Sequence, residues 1–234
     1  QLSIWQERLR KNMAVMECQY QQMENRAALY DGTRMVARDP NSTSKKKSNQ
    51  ASMVRNICAE LIEAQVDSSI PMPKVTARRK EDEQRARILE DYLKNEVDRL
   101  PFEVLNDMDE RISPVQGGDM FLVEWDAERH THTSRGELTV SILHPRQVVF
   151  QDGVNDINDM DFIIVRMGMS KNHVEEQYGI SVENEMEESP QVRGGISVAD
   201  DMVTVNFGYF RNKKGGIGRF TWVNDIVLED LEDY

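Results

Sequence analysis

The sequence is poor in cysteine, in long apolar runs and in net positive charge. Two cysteines among 234 residues are too few for a disulfide framework, and no Cys-x-x-Cys pair is present to hold zinc, which favours a reducing, intracellular setting. The longest apolar runs, such as residues 120–123 and 162–165, are far shorter than the roughly 20 residues that cross a bilayer. Acidic residues outnumber basic ones by 41 to 29, so the net charge of −12 excludes a protein that coats nucleic acid.

Local signatures of catalysis are absent as well. The sequence contains neither a Gly-x-Ser-x-Gly nucleophile elbow nor a set of kinase motifs. The glycine-rich residues 213–219 lie between two predicted strands and lack the Gly-Lys-Ser/Thr ending of a phosphate-binding loop, so we predict a hairpin there. The residue types therefore predict a protein that is not an enzyme and that needs no cofactor.

Two groups of possible metal ligands keep a metal-dependent hydrolase or nuclease open as an alternative. Four aspartates lie within residues 152–161, and carboxylate oxygens are the ligands that hard cations prefer. Their spacing departs from a calcium-binding loop, because Met160 and Asp161 stand where such a loop has an oxygen ligand and a glycine. His130 and His132 form a His-x-His pair without a third ligand at diagnostic spacing. We therefore predict a turn-rich surface loop at the aspartates and an exposed hairpin tip at the histidines.

A long amphipathic helix is predicted to begin near Ser3. Ser3 and Gln6 match a capping box, and Asp31 with Gly32 marks the end of the helix. Apolar residues recur between these ends at alternating spacings of four and three, which places them on one narrow seam. The members of this seam are Leu9, Met13, Met16, Tyr20, Met23, Ala27 and Tyr30. Either the core of the same chain or a neighbouring subunit could cover it, the first being the commoner arrangement.

A change of composition near residue 48 predicts two regions. Residues 1–48 hold nine basic and five acidic side chains, whereas residues 49–234 hold 20 and 36. The first region is predicted to be the amphipathic helix followed by a mobile, exposed basic loop. In that loop Lys45, Lys46 and Lys47 could contact a phosphate or an acidic partner. The second region is predicted to be a single α+β domain.

Three further helices are predicted before residue 116. The first begins near Ser52 and has a wide apolar face that we expect to be well buried, with Cys58 in the core. The second covers residues 81–99. The third begins at Pro101, which suits a first helical turn, and ends near Ile112, because a proline follows two positions later.

Beyond Gln116, Gly117 and Gly118 the hydrophobic period changes from 3.6 to 2, which indicates strands. The predicted strands fall within residues 120–125, 138–142, 148–150, 162–167, 202–210 and 220–223, and a short helix is expected over residues 170–178. The fold class is therefore α+β, with N-terminal helices followed by a mostly antiparallel β-sheet.

Three stretches of the chain resemble the portal proteins of tailed bacteriophages and prophages, in the siphovirus group found in phages of Gram-positive bacteria. They are NICAELIEAQVDSSIPMPKV from Asn56, LPFEVLNDMDERISPVQGGDMFLVEWD from Leu100, and ILHPRQVVFQDGVNDINDMDFIIVRM from Ile142. With their spacing, they cover about residues 50–170. The first helix and the strands after residue 202 agree more loosely, and residues 180–199 carry no usable resemblance.

The resemblance implies a structural protein that forms a ring, typically of twelve subunits, at one vertex of the capsid. Such a ring is a head-tail connector, and double-stranded DNA passes through its channel during packaging and ejection. The implied partners are further copies of the chain, the large subunit of terminase, capsid or scaffolding protein, and a head-completion or tail-adaptor protein. No membrane is involved. The implied location is the virion, after assembly in the cytoplasm of the host bacterium.

The resemblance also implies that the chain is a fragment of the wing region. In the family the wing is α+β, and we expect the stem, clip and crown that follow it to be missing here. The family-typical structural positions, which carry no assigned chemistry, are Gln116, Gly117, Gly118, His144, Pro145 and Gln147. The first three would form the turn from helices to sheet, with positive φ at the glycines, and the others would shape the start of a strand.

The net charge and the helical seam agree with the interpretation as a portal protein. The seam also agrees with an adaptor or scaffolding module. A net charge of −12 per chain would let DNA slide through a ring without adhering to it. The seam would be a contact between subunits, since head-to-tail contacts that close on themselves build rings. A plain adaptor or scaffolding module is the third interpretation, in which the seam binds a partner helix and no ring forms.

Overall fold

The structure, a computed structural model, describes residues 1–32, 56–66, 72–130, 135–182 and 201–234. Its α-helices are α1 (Leu2–Tyr30), α2 (Ile57–Glu63), α3 (Glu83–Arg99), α4 (Phe102–Gln116) and α5 (Lys171–Tyr178). Its strands are β1 (Met120–His130), β2 (Arg135–Leu143), β3 (Val148–Phe150), β4 (Phe162–Ser170), β5 (Met202–Arg211), β6 (Ile217–Val223) and β7 (Ile226–Leu231). The predicted α+β class, with N-terminal helices before an antiparallel sheet, is confirmed.

The chain divides into two compact units. Unit 1 joins residues 1–21 to residues 144–234, and unit 2 comprises residues 22–143. This division differs from the boundary near residue 48 that composition suggests. The two regions 1–48 and 49–234 stay a prediction, because the basic loop with Lys45, Lys46 and Lys47 lies outside the described residues.

Unit 1 is built on a five-stranded antiparallel sheet in the order β3-β4-β5-β6-β7. Each strand therefore pairs with its neighbour in sequence, as short connections favour. Strand residues alternate between the two faces of a sheet. One face carries Phe162, Ile164, Phe220 and Trp222, which form a buried cluster with Trp5 and Leu9 of α1. The other face carries Val165, Val205 and Val223, which are also buried.

Trp5 is the residue through which α1 is anchored to this sheet. Its ring lies stacked on Phe220 at a centroid distance of 5.8 Å and meets Phe162 edge-on at 5.9 Å. Gly208 of β5 makes room for it, since a Cβ there would lie 2.7 Å from Trp5 Cζ3. The guanidinium of Arg8 covers the cluster from outside, with its Cζ 4.9 Å from the Trp5 ring centroid.

Unit 2 contains α2, α3, α4 and the two-stranded antiparallel sheet of β1 and β2. The prediction of a well-buried helix around Cys58 is wrong for the part that is described: Ile57, Cys58 and Leu61 of α2 are exposed. The periodicity identified an amphipathic helix correctly. It could not tell whether anything in the same chain covers the apolar face.

The predicted end of α4 near Ile112 is also wrong, because the helix continues to Gln116 with Pro114 inside it. A proline removes one backbone N–H donor and therefore one intrahelical hydrogen bond. In the last turn this loss is small, and Gly117 completes the helix by donating from its backbone N–H to the Ser113 carbonyl oxygen at 2.8 Å.

None of the helices in the described ranges combines the length and hydrophobicity of a membrane span.

Candidate functional site

The turn from the helices to the sheet contains the first three family-typical positions. Gly117 adopts the left-handed conformation with φ 94° and ψ 10°, and Gly118 follows with φ 150°. Only glycine adopts both without strain, so the predicted positive φ values are present. The Gln116 carbonyl oxygen accepts a hydrogen bond from Arg26 Nη2 of α1 at 3.0 Å, within unit 2. The turn thus carries β1 away from α4 and is held to α1 by one charge-assisted bond.

A pair of carboxyl groups lies beside this turn. Asp109 projects from α4 and Asp119 precedes β1, and the two are close enough to share a proton. Burial, together with the hydrogen bond and the charge of Asp109, raises the pKa of Asp119 to about 6. Asp119 Oδ2 is buried, and no hydrogen-bond donor within the described residues reaches it. Sequence reasoning missed this pair, because the two residues share no periodic pattern.

His144, Pro145 and Gln147 form a capped 3₁₀ turn that leads directly into β3. The His144 backbone N–H donates to Gln147 Oε1 at 2.8 Å, and His144 Nδ1 accepts from the Arg146 backbone N–H at 3.2 Å. Burial, and secondarily the Arg146 guanidinium, lowers the pKa of His144. The neutral imidazole is the form that can accept at Nδ1, so the environment and the capping role agree. These side chains shape the start of a strand.

The seam of α1 is covered in part by the same chain. Leu9 is buried in the core of unit 1, and Met13 packs against that core. Tyr20 is buried as well, with the Arg146 guanidinium Cζ 5.8 Å from its ring centroid. The Tyr20 hydroxyl donates to Met16 Sδ at 3.6 Å. Leu9 and Tyr20 are therefore unavailable as outer surface.

The end of the seam contacts α2 within unit 2. The Tyr30 hydroxyl donates to the Glu63 carboxylate. The same carboxylate accepts three hydrogen bonds from Nε and Nη2 of Arg111 of α4, at 3.1, 3.2 and 3.1 Å. The Arg111 guanidinium, followed by the Tyr30 hydroxyl, lowers the pKa of Glu63. Arg111 also pairs with Asp107 at 3.0 Å. Met23 and Ala27 are half-buried between these two ends, so a contact with another subunit stays a prediction for the middle of the seam.

The aspartate-rich loop is organised by local hydrogen bonds. Asp156 Oδ1 accepts from the backbone N–H of Asn158 at 2.8 Å and caps a short 3₁₀ turn. The backbone N–H of Asp161 donates to Gln151 Oε1 at 2.7 Å. Among the described residues, no three His, Cys, Asp or Glu side chains lie close enough to hold a metal ion. His132 and the side chain of His130 lie outside what the structure describes.

A cleft of about 670 Å³ in unit 1 lies between α1 and the sheet, and sequence reasoning missed it. Arg166, Asn206 and Trp222 stand side by side on β4, β5 and β6 and form its floor. The Arg166 guanidinium is buried, with Nε donating to Asn206 Oδ1 at 3.3 Å and Nη1 lying 3.3 Å from Met13 Sδ. The cleft brings Arg166, Asn206 and Trp222 together from three strands, and no local sequence motif predicts this grouping.

Large apolar side chains are exposed on several elements of unit 2. They lie on α3, on α4 and on one face of the β1–β2 hairpin. The exposed side chains are Ile88, Leu89, Tyr92, Leu93, Val104, Met108, Phe121, Val123 and Trp125. Isolated exposed apolar residues are ordinary, whereas contiguous sets of them mark surfaces that another molecule covers.

No protein-family model matches the chain, and no curated protein matches it significantly.

Proposed function

We propose that the chain is the wing region of a phage portal protein, a structural subunit that assembles into a ring around a DNA channel at one capsid vertex. It acts as a conduit and a docking platform and catalyses no reaction. The observation that carries the proposal is the exposed apolar surface of unit 2. Monomeric proteins in water rarely leave such sets of large side chains uncovered. A ring covers them in every copy, because each subunit has two neighbours.

The three stretches that resemble portal proteins coincide with defined parts of the fold. The stretch from Asn56 includes α2, the stretch from Leu100 runs through α4 and the glycine turn into β1, and the stretch from Ile142 contains β3 and most of β4. The stretch from Leu100 thus includes the turn from helix to strand at Gly117 and Gly118.

Charge supports the role of the channel. With −12 per chain, a ring of many copies carries a strong negative field, which disfavours adhesion to the phosphates of passing DNA. In this proposal the ring stands in the virion and is assembled in the bacterial cytoplasm. Its partners are terminase, capsid or scaffolding protein, and a head-completion or tail-adaptor protein.

Electron microscopy tests the proposal. We expect the protein expressed from its whole reading frame to show rings with a central channel in negative stain. Its mass in solution should be that of a closed oligomer near twelve copies. A uniform population of monomers or two-fold dimers would contradict the proposal. Monomers that capture one partner helix would favour the adaptor, and a melting temperature that a chelator lowers would favour the metal-dependent hydrolase.

A further inference from the structure

Over residues 121–125 and 138–142 one face of the β1–β2 hairpin is apolar, with its β1 side exposed and Leu138, Val140 and Ile142 half-buried. Phe121, Val123 and Trp125 occupy alternate positions of β1, and they are 45%, 57% and 59% exposed. Their partners across the antiparallel pair are all apolar: Phe121 pairs with Ile142, Val123 with Val140 and Trp125 with Leu138. Residues at alternate positions share a face, so these six side chains form one uncharged surface.

The opposite face of the hairpin is mostly polar and is used by the same chain. It carries Glu124 and Asp126 on β1 and Glu137, Thr139 and Ser141 on β2, together with the apolar Met120, Leu122 and the buried Leu143 at the end nearer the glycine turn. Glu137 forms an ion pair with Arg99 of α3 at 2.9 Å. Glu137 on this face therefore contacts α3 of the same chain, while Phe121, Val123 and Trp125 on the other face are exposed.

An isolated two-stranded hairpin is at best marginally stable in water. Stability requires a further strand or a helix against its apolar face. In the described part of the chain, nothing covers the outer positions of β1, since Val123 and Trp125 remain more than half exposed. The apolar face of the hairpin is therefore built to receive another surface.

A matching surface occurs on α3 of the same unit. Ile88, Leu89, Tyr92 and Leu93 occupy successive turns of one helical face and are between 40% and 62% exposed. They form an apolar ridge, whereas the hairpin face is a pleated sheet. A helical ridge on a sheet face is the usual way in which the two kinds of element pack.

We infer that the apolar face of the hairpin in one copy of the chain receives the α3 ridge of the next copy. The inference rests on the proposed ring and names the surfaces that would form its contact. The two surfaces are different and both lie on every chain, so the contact is head to tail and can continue from subunit to subunit until it closes. A second copy is the occupant because it brings the complementary surface in equal number.

The size of the two surfaces agrees with a contact between subunits. Seven large side chains that are about half exposed would remove roughly 800 Å² of apolar surface from water. Stable interfaces bury about 1,200–2,000 Å² in total, with a polar rim around an apolar centre. The hairpin face and the ridge are therefore large enough for that centre. The exposed Arg85 and Asp91 beside the ridge belong to its rim.

Directed disulfide formation tests the inference on the protein with its whole reading frame. The exposed cysteines Cys18 and Cys58 are first replaced by serine. Val123→Cys and Tyr92→Cys are then made separately, and the two proteins are mixed, reassembled and treated with a mild oxidant. We expect a cross-linked dimer in the mixture and at least a tenfold weaker band with either variant alone. A single chain with both substitutions should give a ladder of higher oligomers.

Ser141→Cys is the matched control for Val123→Cys. Ser141 is exposed on the same hairpin, but its side chain lies on the opposite face. Mixed with Tyr92→Cys, it should give no cross-link. Thermal melting of each variant, followed by circular dichroism, shows whether the variant is folded, so that cross-linking is compared only between folded proteins.

The outcomes separate this inference from the proposed function. Rings without the Val123–Tyr92 cross-link would overturn the inference and leave the portal proposal standing. Cross-linked Val123→Cys alone would show a two-fold contact and overturn the head-to-tail arrangement. Cross-linked mixtures in a protein that forms no rings would support the contact and contradict the portal. Absence of both rings and cross-links would overturn both.

Discussion

The pKa of Asp119 is raised partly by a residue on another element of the fold. Its carboxyl group lies beside that of Asp109, and the pair is partly shielded from water. Burial disfavours the ionised form, and the hydrogen bond and charge of Asp109 add to this effect, so the pKa of Asp119 rises from 3.8 to about 6. Above about pH 6 Asp119 is ionised, and the folded state carries the cost of burying its charge beside Asp109.

The pH dependence of stability follows from this shift. In the folded protein Asp119 binds its proton up to about pH 6, whereas in the unfolded chain it releases it near pH 4. The folded state therefore holds more protons between these values, and its stability falls as pH rises through this window. We expect Asp119→Asn to raise the free energy of unfolding by about 1 kcal/mol at pH 7.5, after allowance for solvent screening. At pH 4 the substitution should have little effect.

Thermal melts at pH 4, 5, 6 and 7.5 measure this effect. Asp98→Asn, at an exposed position of α3, is the control for removing one negative charge without touching the pair. Equal stabilisation by both substitutions at every pH would show that net charge is responsible and that the pair is not.

At the scale of single residues, the sequence predicted what depends on local chemistry. Gly117 and Gly118 were identifiable as a turn because a pair of glycines between a helical and a strand pattern has few other uses. Pro114 was misjudged, since α4 continues through it for two further residues and ends at Gln116. The carboxyl pair of Asp109 and Asp119 could not be predicted from the sequence, because the proximity of residues on different elements depends on tertiary structure.

At the scale of elements, the packing of α1 on the sheet includes a close fit between one aromatic side chain and one glycine. Trp5 fills a space that Gly208 leaves open. Gly208 has no unusual backbone conformation, so the only cost of a methyl group there is the collision with the Trp5 ring.

A double-mutant cycle tests this fit. We expect Gly208→Ala to destabilise the protein by about 1–3 kcal/mol when Trp5 is present. In the background of Trp5→Leu, which itself costs several kcal/mol, the same change should be neutral or slightly stabilising, because alanine suits a strand better than glycine. The coupling free energy from urea unfolding should therefore exceed about 1 kcal/mol.

Gly218→Ala is the control for this cycle. A Cβ there would collide with the Phe210 ring and would also lie 2.8 Å from the backbone carbonyl oxygen of Leu231, which cannot move aside whether or not Trp5 is present. Its cost should therefore persist when Trp5 is replaced. If Gly208→Ala still destabilises the protein when Trp5 is replaced by leucine, the added methyl group must collide with a residue other than Trp5.

Periodicity predicted the existence and type of the described α-helices and of every described strand except β7, but it predicted their burial poorly. The pattern of α3 and the alternation of β1 are both amphipathic, yet the apolar sides of both remain exposed in the single chain. An amphipathic pattern indicates that the apolar face of a helix or strand packs against another surface. It does not indicate whether that surface belongs to the same chain or to another molecule.

At the scale of the whole molecule, charge opposes assembly and apolar surface favours it. Each chain carries −12, so copies brought together repel one another. Salt shortens the range of this repulsion from about 10 Å at 0.1 M to about 3 Å at 1 M and leaves apolar contacts in place. We expect the fraction of assembled protein, measured by mass photometry at fixed protein concentration, to rise at least threefold over this range.

An uncharged osmolyte at matched osmolality is the control for effects other than screening. Disassembly on adding salt would mean that ion pairs hold the oligomer together, contrary to a contact centred on the hairpin face and the α3 ridge.

The distribution of tryptophan has an optical consequence. Trp5 and Trp222 are 6% and 1% exposed, and their ring centroids lie 5.8 Å apart, so both emit from a dry and rigid interior. Trp125, the third tryptophan, is 59% exposed and emits from water at longer wavelength. Excitation near 295 nm therefore gives two separable signals, one that reports the integrity of the aromatic core and one that reports what lies against the hairpin. The fluorescence spectrum of the unlabelled protein distinguishes unfolding from the covering of its outer face.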